Sequence, residues 1–262
     1  MHIAGYIASL FIGISLGLIG GGGSILTVPV LVYLFGVSPV LATSYSLFIV
    51  GFTSFIGSFN CWRKGLVDFH TVLLFGATSI LTVYITRKFI IPLIPEHIVV
   101  GNITLHFSML TMVLFAVLML VASISMITRE HPEEIVTTNK INFTKLISYG
   151  ISIGLVTGFL GAGGGFLLIP ALVLLLHIPM KKAVGTSLFI IALNSLAGFI
   201  GDVGHFETDW IFLFVISAIA ITGVFAGGVL ARFIHGAHLK KGFGWFVLAM
   251  GVYIIIKEIW FR

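Results

Sequence analysis

The stretch GLIGGGGSILTVPV, residues 17–30, interrupts an apolar run with four consecutive glycines. Glycine in a helix interior costs about 1 kcal/mol relative to alanine, so a helix that enters this stretch is expected to break there. A second stretch, GFLGAGGGFLLIPA at residues 158–171, has the same character. In both, a proline follows the glycines. The sequence therefore predicts two matching helix breaks.

The two stretches belong to an internal repeat, because a shift of 141 residues aligns them without a gap. The aligned pairs include Gly13 with Gly154, Gly17 with Gly158, Gly20 with Gly161, Gly22 with Gly163, Gly23 with Gly164, Pro29 with Pro170, Ala42 with Ala183, Ser46 with Ser187, Ser54 with Ser195, Gly57 with Gly198 and Asp68 with Asp209. An apolar composition alone would not bring glycines, prolines and an aspartate into one register. We therefore predict that the halves are structural duplicates.

The composition places the chain in a lipid bilayer. Apolar residues make up 58% of it and charged residues 9%, with a mean hydropathy of +1.18, whereas a soluble domain carries about 25% charged residues. A soluble enzyme is thereby excluded. Long apolar runs indicate helices rather than a membrane β-barrel, and a single cysteine excludes a disulfide framework. The net charge of +5 is ascribed to topology rather than to nucleic-acid binding.

Each half contains five hydrophobic segments. They are expected at residues 3–19, 24–36, 39–59, 70–91 and 105–127, and at 145–160, 166–177, 181–201, 210–234 and 240–261. The predicted fold is an all-α polytopic membrane protein. It has a first transmembrane repeat at residues 1–127, a polar cytoplasmic linker at 128–144 and a second repeat at 145–262. The short second segments allow a hairpin, a re-entrant pair or one fused, kinked span.

Charge counting selects between these topologies. If the glycine turns reverse the chain, the halves are inverted and ten Lys and Arg residues fall on one side of the membrane against four on the other. If the segments fuse, the same charges divide seven to seven. The positive-inside rule favours the first arrangement. The chain is therefore expected in the cell membrane as two inverted repeats with both termini extracytoplasmic.

This orientation predicts that residues 91–104 and 202–209 are extracytoplasmic, and that residues 60–69, 128–144 and 235–240 are cytoplasmic. Single cysteines at Asn102 and Asn139, in a Cys61→Ser background, should react with an impermeant thiol reagent from opposite sides of the membrane. Labelling of both positions from the same side would contradict the inverted arrangement.

The broken backbone predicts an anion site. A helix break inside a membrane is tolerated where it is buried or lines a cavity, and the first amides of the next helix have no intrahelical acceptors. Inverted repeats place a transporter's site at their interface, where two such helix starts converge on one small anion. Hydroxyl and amide side chains nearby are further donors. The candidate substrate-binding residues are Gly20, Gly21, Gly22, Gly23, Ser24, Ser46, Gly161, Gly163, Gly164, Gly165, Thr186, Ser187 and Asn194. The alternative is that the glycines serve close helix packing.

The remaining polar residues argue against catalysis. All nine Asp and Glu residues fall in loops or near the ends of segments, so transport is expected not to depend on any single carboxylate. The histidines have no metal-ligand spacing, and no catalytic residue, metal or cofactor is predicted. A membrane-embedded transferase or a structural subunit of a membrane complex is the alternative to a transporter. The oligomeric state stays open.

With both glycine stretches, Pro29, Pro170 and the paired segments TSYSLFI and GTSLFII in view, the chain resembles the sulfite exporter TauE/SafE family, also called the toluenesulfonate uptake permeases. The resemblance covers nearly the whole chain. It implies an integral membrane transporter of sulfite, sulfonates, thiosulfate or another small sulfur-containing or organic anion. The two halves depart from one another at Ala162, and at Tyr45 where the second half has Thr186.

Overall fold

The computed structural model describes residues 2–95, 97–100, 103–128, 143–176, 178–230 and 236–260. Each predicted hydrophobic segment forms a helix. The helices are α1 (His2–Ile19), α2 (Thr27–Tyr33, preceded by a 3-10 helix at Gly21–Leu26), α3 (Pro39–Arg63), α4 (Phe69–Leu93), α5 (Phe107–Thr128), α6 (Phe143–Leu160), α7 (Gly165–Leu176), α8 (Met180–Asp202), α9 (Trp210–Leu230) and α10 (Gly236–Trp260). Residues 129–142 of the predicted linker lie outside the described residues.

The prediction of an all-α polytopic membrane protein is confirmed. Among the described helices, α3, α4, α5, α8 and α9 are long and apolar enough to cross a membrane. The structure adds one short antiparallel hairpin, formed by β1 (His97–Val100) and β2 (Ile103–His106), between α4 and α5. It occupies much of the connection that the sequence placed at residues 91–104.

The two halves are interleaved. The first helix of each half packs on the fourth helix of the other: α1 on α9, and α6 on α4. Glycines allow these close approaches, because a Cβ added at Gly13 would collide with the backbone of Ala220, and one added at Gly154 would lie 2.8 Å from the carbonyl oxygen of Ser79. The shift of 141 residues relates Gly13 to Gly154 and Ser79 to Ala220. The two contacts are therefore counterparts under this shift, while the structural repeat as a whole and the inversion of one half stay predictions.

The third helices form the centre of the molecule. In α3 and α8, which pack against each other, 67% of the most apolar stretch is buried, compared with 39% in α4, α5 and α9. The fifth helices, α5 and α10, also pack together. Large apolar side chains cover the outer surface, among them Phe11, Phe55, Leu81, Val121, Ile211 and Phe225. Such a surface suits hydrocarbon rather than water.

The chain folds back on itself at both glycine stretches. A Cβ on Gly23 would lie 2.6 Å from the amide nitrogen of Leu16, and one on Gly164 would collide with Oγ1 of Thr157. Each pair is seven residues apart, and a continuous helix would separate them by about 10 Å. At both breaks the chain therefore leaves the straight path of a helix, and the choice among the three topologies stays a prediction.

Candidate functional site

The first glycine break lies between α1 and α2. Helix α1 ends at Ile19, and Gly20 has a φ of +78°, in the left-handed region that favours glycine. A 3-10 helix, Gly21–Leu26, then leads into α2. The hydroxyl of Ser24 donates to the carbonyl oxygen of Gly21 at 2.8 Å, so this candidate side chain is bonded within its own turn.

The second break reaches its helix more abruptly. Gly161, Gly163 and Gly164 have φ values of +67°, +65° and +69°, and α7 begins at Gly165. The predicted breaks are thus present in both halves. The amides of Leu167 and Leu168 donate to the carbonyl oxygen of Gly164 at 3.0 Å, so the amides without an acceptor in the helix are those at the very start of α7. The start of a helix is also the positive end of its dipole.

The two breaks lie in direct contact. A Cβ added at Gly165 would overlap the carbonyl oxygen of Gly21, and one added at Gly21 would lie 2.5 Å from the Cα of Gly165. The methyl end of Ile191, from α8, closes the same space. The two breaks therefore converge through close packing, which is the alternative role of these glycines, and an anion held between them stays a prediction.

Two of the candidate hydroxyl residues, Thr186 and Ser187, make structural hydrogen bonds. Ser187 donates to the carbonyl oxygen of Val184 at 2.9 Å. Oγ1 of Thr186 accepts the amide of Asp68 at 2.9 Å, and in the other half the hydroxyl of Tyr45 accepts the amide of Asp209 at 2.8 Å. Tyr45 and Thr186 are equivalent by the repeat. Each holds the start of the other half's fourth helix, so this difference between the halves preserves one contact.

Ser46 and Asn194 have unused hydrogen-bonding atoms. Nδ2 of Asn194 donates to Oγ of Ser79 at 2.8 Å, which ties α8 to α4. Within the described ranges, Oδ1 of Asn194 and the hydroxyl of Ser46 have no hydrogen-bond partner. A buried hydroxyl without a partner is costly, on the order of 1–3 kcal/mol. Ser46 is therefore the stronger of the two as a donor to an anion.

Two further hydroxyls at the second break were missed by sequence reasoning. A Cβ added at Gly163 would lie 2.8 Å from Oγ of Ser195, and one added at Gly164 would overlap Oγ1 of Thr157. Both residues are buried, and neither oxygen has a partner in the part of the chain that the structure describes. For Ser195, the sequence offered one indication: it aligns with Ser54 in the repeat.

A buried ion pair was also missed. Nη1 of Arg87 lies 3.0 Å from Oδ2 of Asp202, and the two side chains are 0% and 3% exposed. Arg87 lies in α4, in a π-helical turn at Thr86–Ile90, and Asp202 is the last residue of α8. The charge count treated Arg87 as a boundary marker. Its neighbour Lys88, which is exposed, is the residue that fits this description.

The ion pair is connected to the second break through α3. Nη1 of Arg87 also donates to Oγ1 of Thr43 at 3.0 Å, and a Cβ added at Gly161 would overlap the backbone of Thr43. The hydroxyl of Ser44 faces the carboxylate of Asp202. Helices α3, α4 and α8 and the second break therefore meet at one polar cluster.

The candidate side chains are closed off in this conformation. Ser24, Ser46, Thr186, Ser187 and Asn194 are each 0% exposed. The structure has a cleft of about 380 Å³ elsewhere, lined by Phe55, Ile56, Phe59, Asn60, Arg63 and Phe225. In this conformation the candidate side chains are therefore not accessible to a ligand from outside the protein.

Comparison with known proteins agrees with this architecture. The family model described as sulfite exporter TauE/SafE matches residues 6–254. A probable membrane transporter protein of Xylella fastidiosa is 29% identical over 254 residues, covering 94% of this chain and 92% of that protein. The probable membrane transporter protein YunE of Bacillus subtilis is 29% identical over 238 residues, covering 83% of this chain and 82% of that protein. No solved structure matches the chain significantly. The chain therefore belongs to the sulfite exporter TauE/SafE family of membrane transporters.

Proposed function

We propose that this protein is a permease of the cell membrane for small anions. The substrate class is sulfite, sulfonates or another sulfur-containing or organic anion, held where the two glycine breaks meet. The observation that carries the proposal is the direct contact of Gly21 with Gly165 beside the hydroxyls of Ser195 and Thr157. Membership of the transporter family supports the same activity.

The hydrogen-bond donors at this junction suit an anion that has many acceptor atoms and few donors. Backbone amides at a helix start, together with the dipole, favour negative charge without a cationic side chain. The hydroxyls of Ser46, Ser195 and Thr157 add donors that nothing else uses among the described residues. An oxyanion offers several acceptors to such a set, so the desolvation cost of both partners is offset by hydrogen bonds.

The interleaved halves suggest how access alternates. The junction of Gly21 and Gly165 lies between segments of different halves, and α3 and α8 pack across the same centre. Movement of one set of helices against the other would separate the breaks and open a path to one side. Transporters built from inverted repeats use this kind of motion around a fixed site.

Transport by the protein alone tests the proposal. The purified chain, reconstituted into proteoliposomes, should accumulate labelled sulfite, or an organic sulfonate such as methanesulfonate, faster than protein-free vesicles. Excess unlabelled sulfite should compete, whereas a cation of the same size should not. Equal uptake by protein-containing and empty vesicles, for every anion of this class, would contradict the proposed function.

Removing one hydroxyl at the second break tests the location of the site. Ser195→Ala should raise the KM for the transported anion about tenfold, the equivalent of about 1.4 kcal/mol for one hydrogen bond to a charged group. The matched control is Ser58→Ala, because that buried serine donates to its own helix at the carbonyl oxygen of Phe55. If the two variants have the same KM, Ser195 does not contact the substrate.

A further inference from the structure

Arg87 carries a charge that the protein buries completely, near the end of α4. It lies within a helix long and apolar enough to span a bilayer, and its side chain is fully buried. An ionisable residue inside a membrane span marks a substrate or ion pathway by default. The local backbone is a π-helical turn, Thr86–Ile90, a distortion that is frequent at functional sites, and α4 has a second such turn at Val72–Gly76.

The guanidinium of Arg87 is only partly used. Nη1 makes both hydrogen bonds, to Asp202 and to Thr43. Nε and Nη2 have no partner among the described residues. These two atoms form one edge of the planar group, and their parallel N–H bonds match two oxygens of a carboxylate, sulfite or sulfate. A fully buried arginine with this edge unused is the form that a bidentate oxyanion site takes.

The position of Asp202, the counterion of Arg87, would allow a bound anion to take its place. Asp202 is the last residue of α8, and the amide of His205, an exposed residue of the following loop, donates to the carbonyl oxygen of Asp202 at 3.0 Å. Asp202 contacts Arg87 through one nitrogen only. The carboxylate is thus placed where it can turn towards the loop while the guanidinium stays fixed by Thr43.

We propose that Arg87 is the charged contact for the transported oxyanion, which binds side-on to Nε and Nη2. Asp202 neutralises the guanidinium while the site is empty and releases it when the anion binds. This inference rests on the proposed function and deepens it. The anion would pass between Arg87 and the second glycine break through Thr43, which contacts both.

The exchange has an energetic reason. A buried cation without a counterion costs several kcal/mol, so an empty site needs Asp202. An oxyanion with two hydrogen bonds is the better partner, because a bidentate pair adds geometry as well as charge. The same residue therefore binds the substrate and keeps the empty site stable.

The test uses variants that retain charge. Arg87→Lys keeps the positive charge and the contact with Asp202 but removes the two parallel N–H donors of Nε and Nη2. Its Kd for sulfite, measured from the rise in melting temperature of the purified protein, should increase at least tenfold, with an equal loss of proteoliposome uptake. Lys88→Gln, which removes an exposed charge one residue away, should leave both values within twofold of the unchanged protein.

Asp202→Asn should change the affinity for sulfite in the opposite direction. Without the competing carboxylate, the Kd for sulfite should fall at least threefold, and sulfite should stabilise this variant more than the unchanged protein. If the single variants do not fold, the neutral double variant Arg87→Gln, Asp202→Asn removes both charges of the pair and should fold without binding sulfite.

The outcomes separate the two proposals. Arg87→Lys, or the folded double variant, binding and transporting sulfite like the unchanged protein would overturn the role of Arg87 and leave the proposed function intact. An unchanged protein that neither binds nor transports any oxyanion of this class would overturn both.

Discussion

Replacing Gly165 with valine is expected to abolish the folded state. Its Cβ would overlap the carbonyl oxygen of Gly21 and lie 2.5 Å from that residue's Cα. These are backbone atoms at the centre of the protein, so they cannot move aside as the end of a side chain can. The cost should exceed about 3 kcal/mol, the upper part of the usual range for overpacking. Fluorescence-detected size exclusion of the detergent-solubilised protein should show loss of the monodisperse peak.

A matched control separates packing from helix propensity. Gly228 lies in α9, and a Cβ added there meets no atom within 4 Å. Gly228→Val should therefore elute and melt like the unchanged protein, within about 0.5 kcal/mol, as surface substitutions usually do. A folded, stable Gly165→Val variant would mean that the two breaks are not in contact.

Replacing Asp202 with asparagine, in the absence of anions, is expected to lower the free energy of unfolding by about 3–5 kcal/mol. The change leaves the guanidinium of Arg87 buried without its counterion, and its remaining bond, to Thr43, carries no charge. Thermal unfolding in detergent measures the effect.

Glu207→Gln is the control for this substitution, because Glu207 is an exposed acid in the same loop region. Its melting temperature should not change measurably. Equal melting temperatures for the Asp202 and Glu207 variants would show that the ion pair does not stabilise the fold. The expectation that transport does not depend on any single carboxylate concerns flux rather than stability, and it stays a prediction.

Most of the fold could be predicted from the sequence, because the patterns that indicate its helices and breaks are local. Apolar length predicts each membrane helix, and runs of glycine predict each break. The boundaries shifted where polar residues extend a helix: the segment expected at residues 39–59 continues to Arg63. The direction of the chain after each break required tertiary contacts, such as that of Gly164 with Thr157.

The residues of the candidate site could be predicted only in part, because the direction of a side chain depends on which face of its helix is packed against other helices. Arg87 and Lys88 are adjacent, and a rotation of about 100° per residue sends one inward and the other outward. Sequence reasoning had no means of choosing between them. Ser187 shows the converse, since its position in the repeat made it a candidate while its hydroxyl bonds its own helix.

The exchange of first helices between the halves has a consequence for biosynthesis. Helix α1 ends at Ile19, and the helix on which it packs begins at Trp210, 191 positions later. At about 5–20 residues per second, a ribosome needs roughly 10–40 s to supply that partner. During this time the surface of α1 at Gly13 and Gly17, which packs on α9 in the folded protein, faces lipid or an insertion factor. Each half completes the other, so the contact of α1 with α9 forms in a late docking step, and a chain truncated before α9 leaves Gly13 and Gly17 without their packing partner.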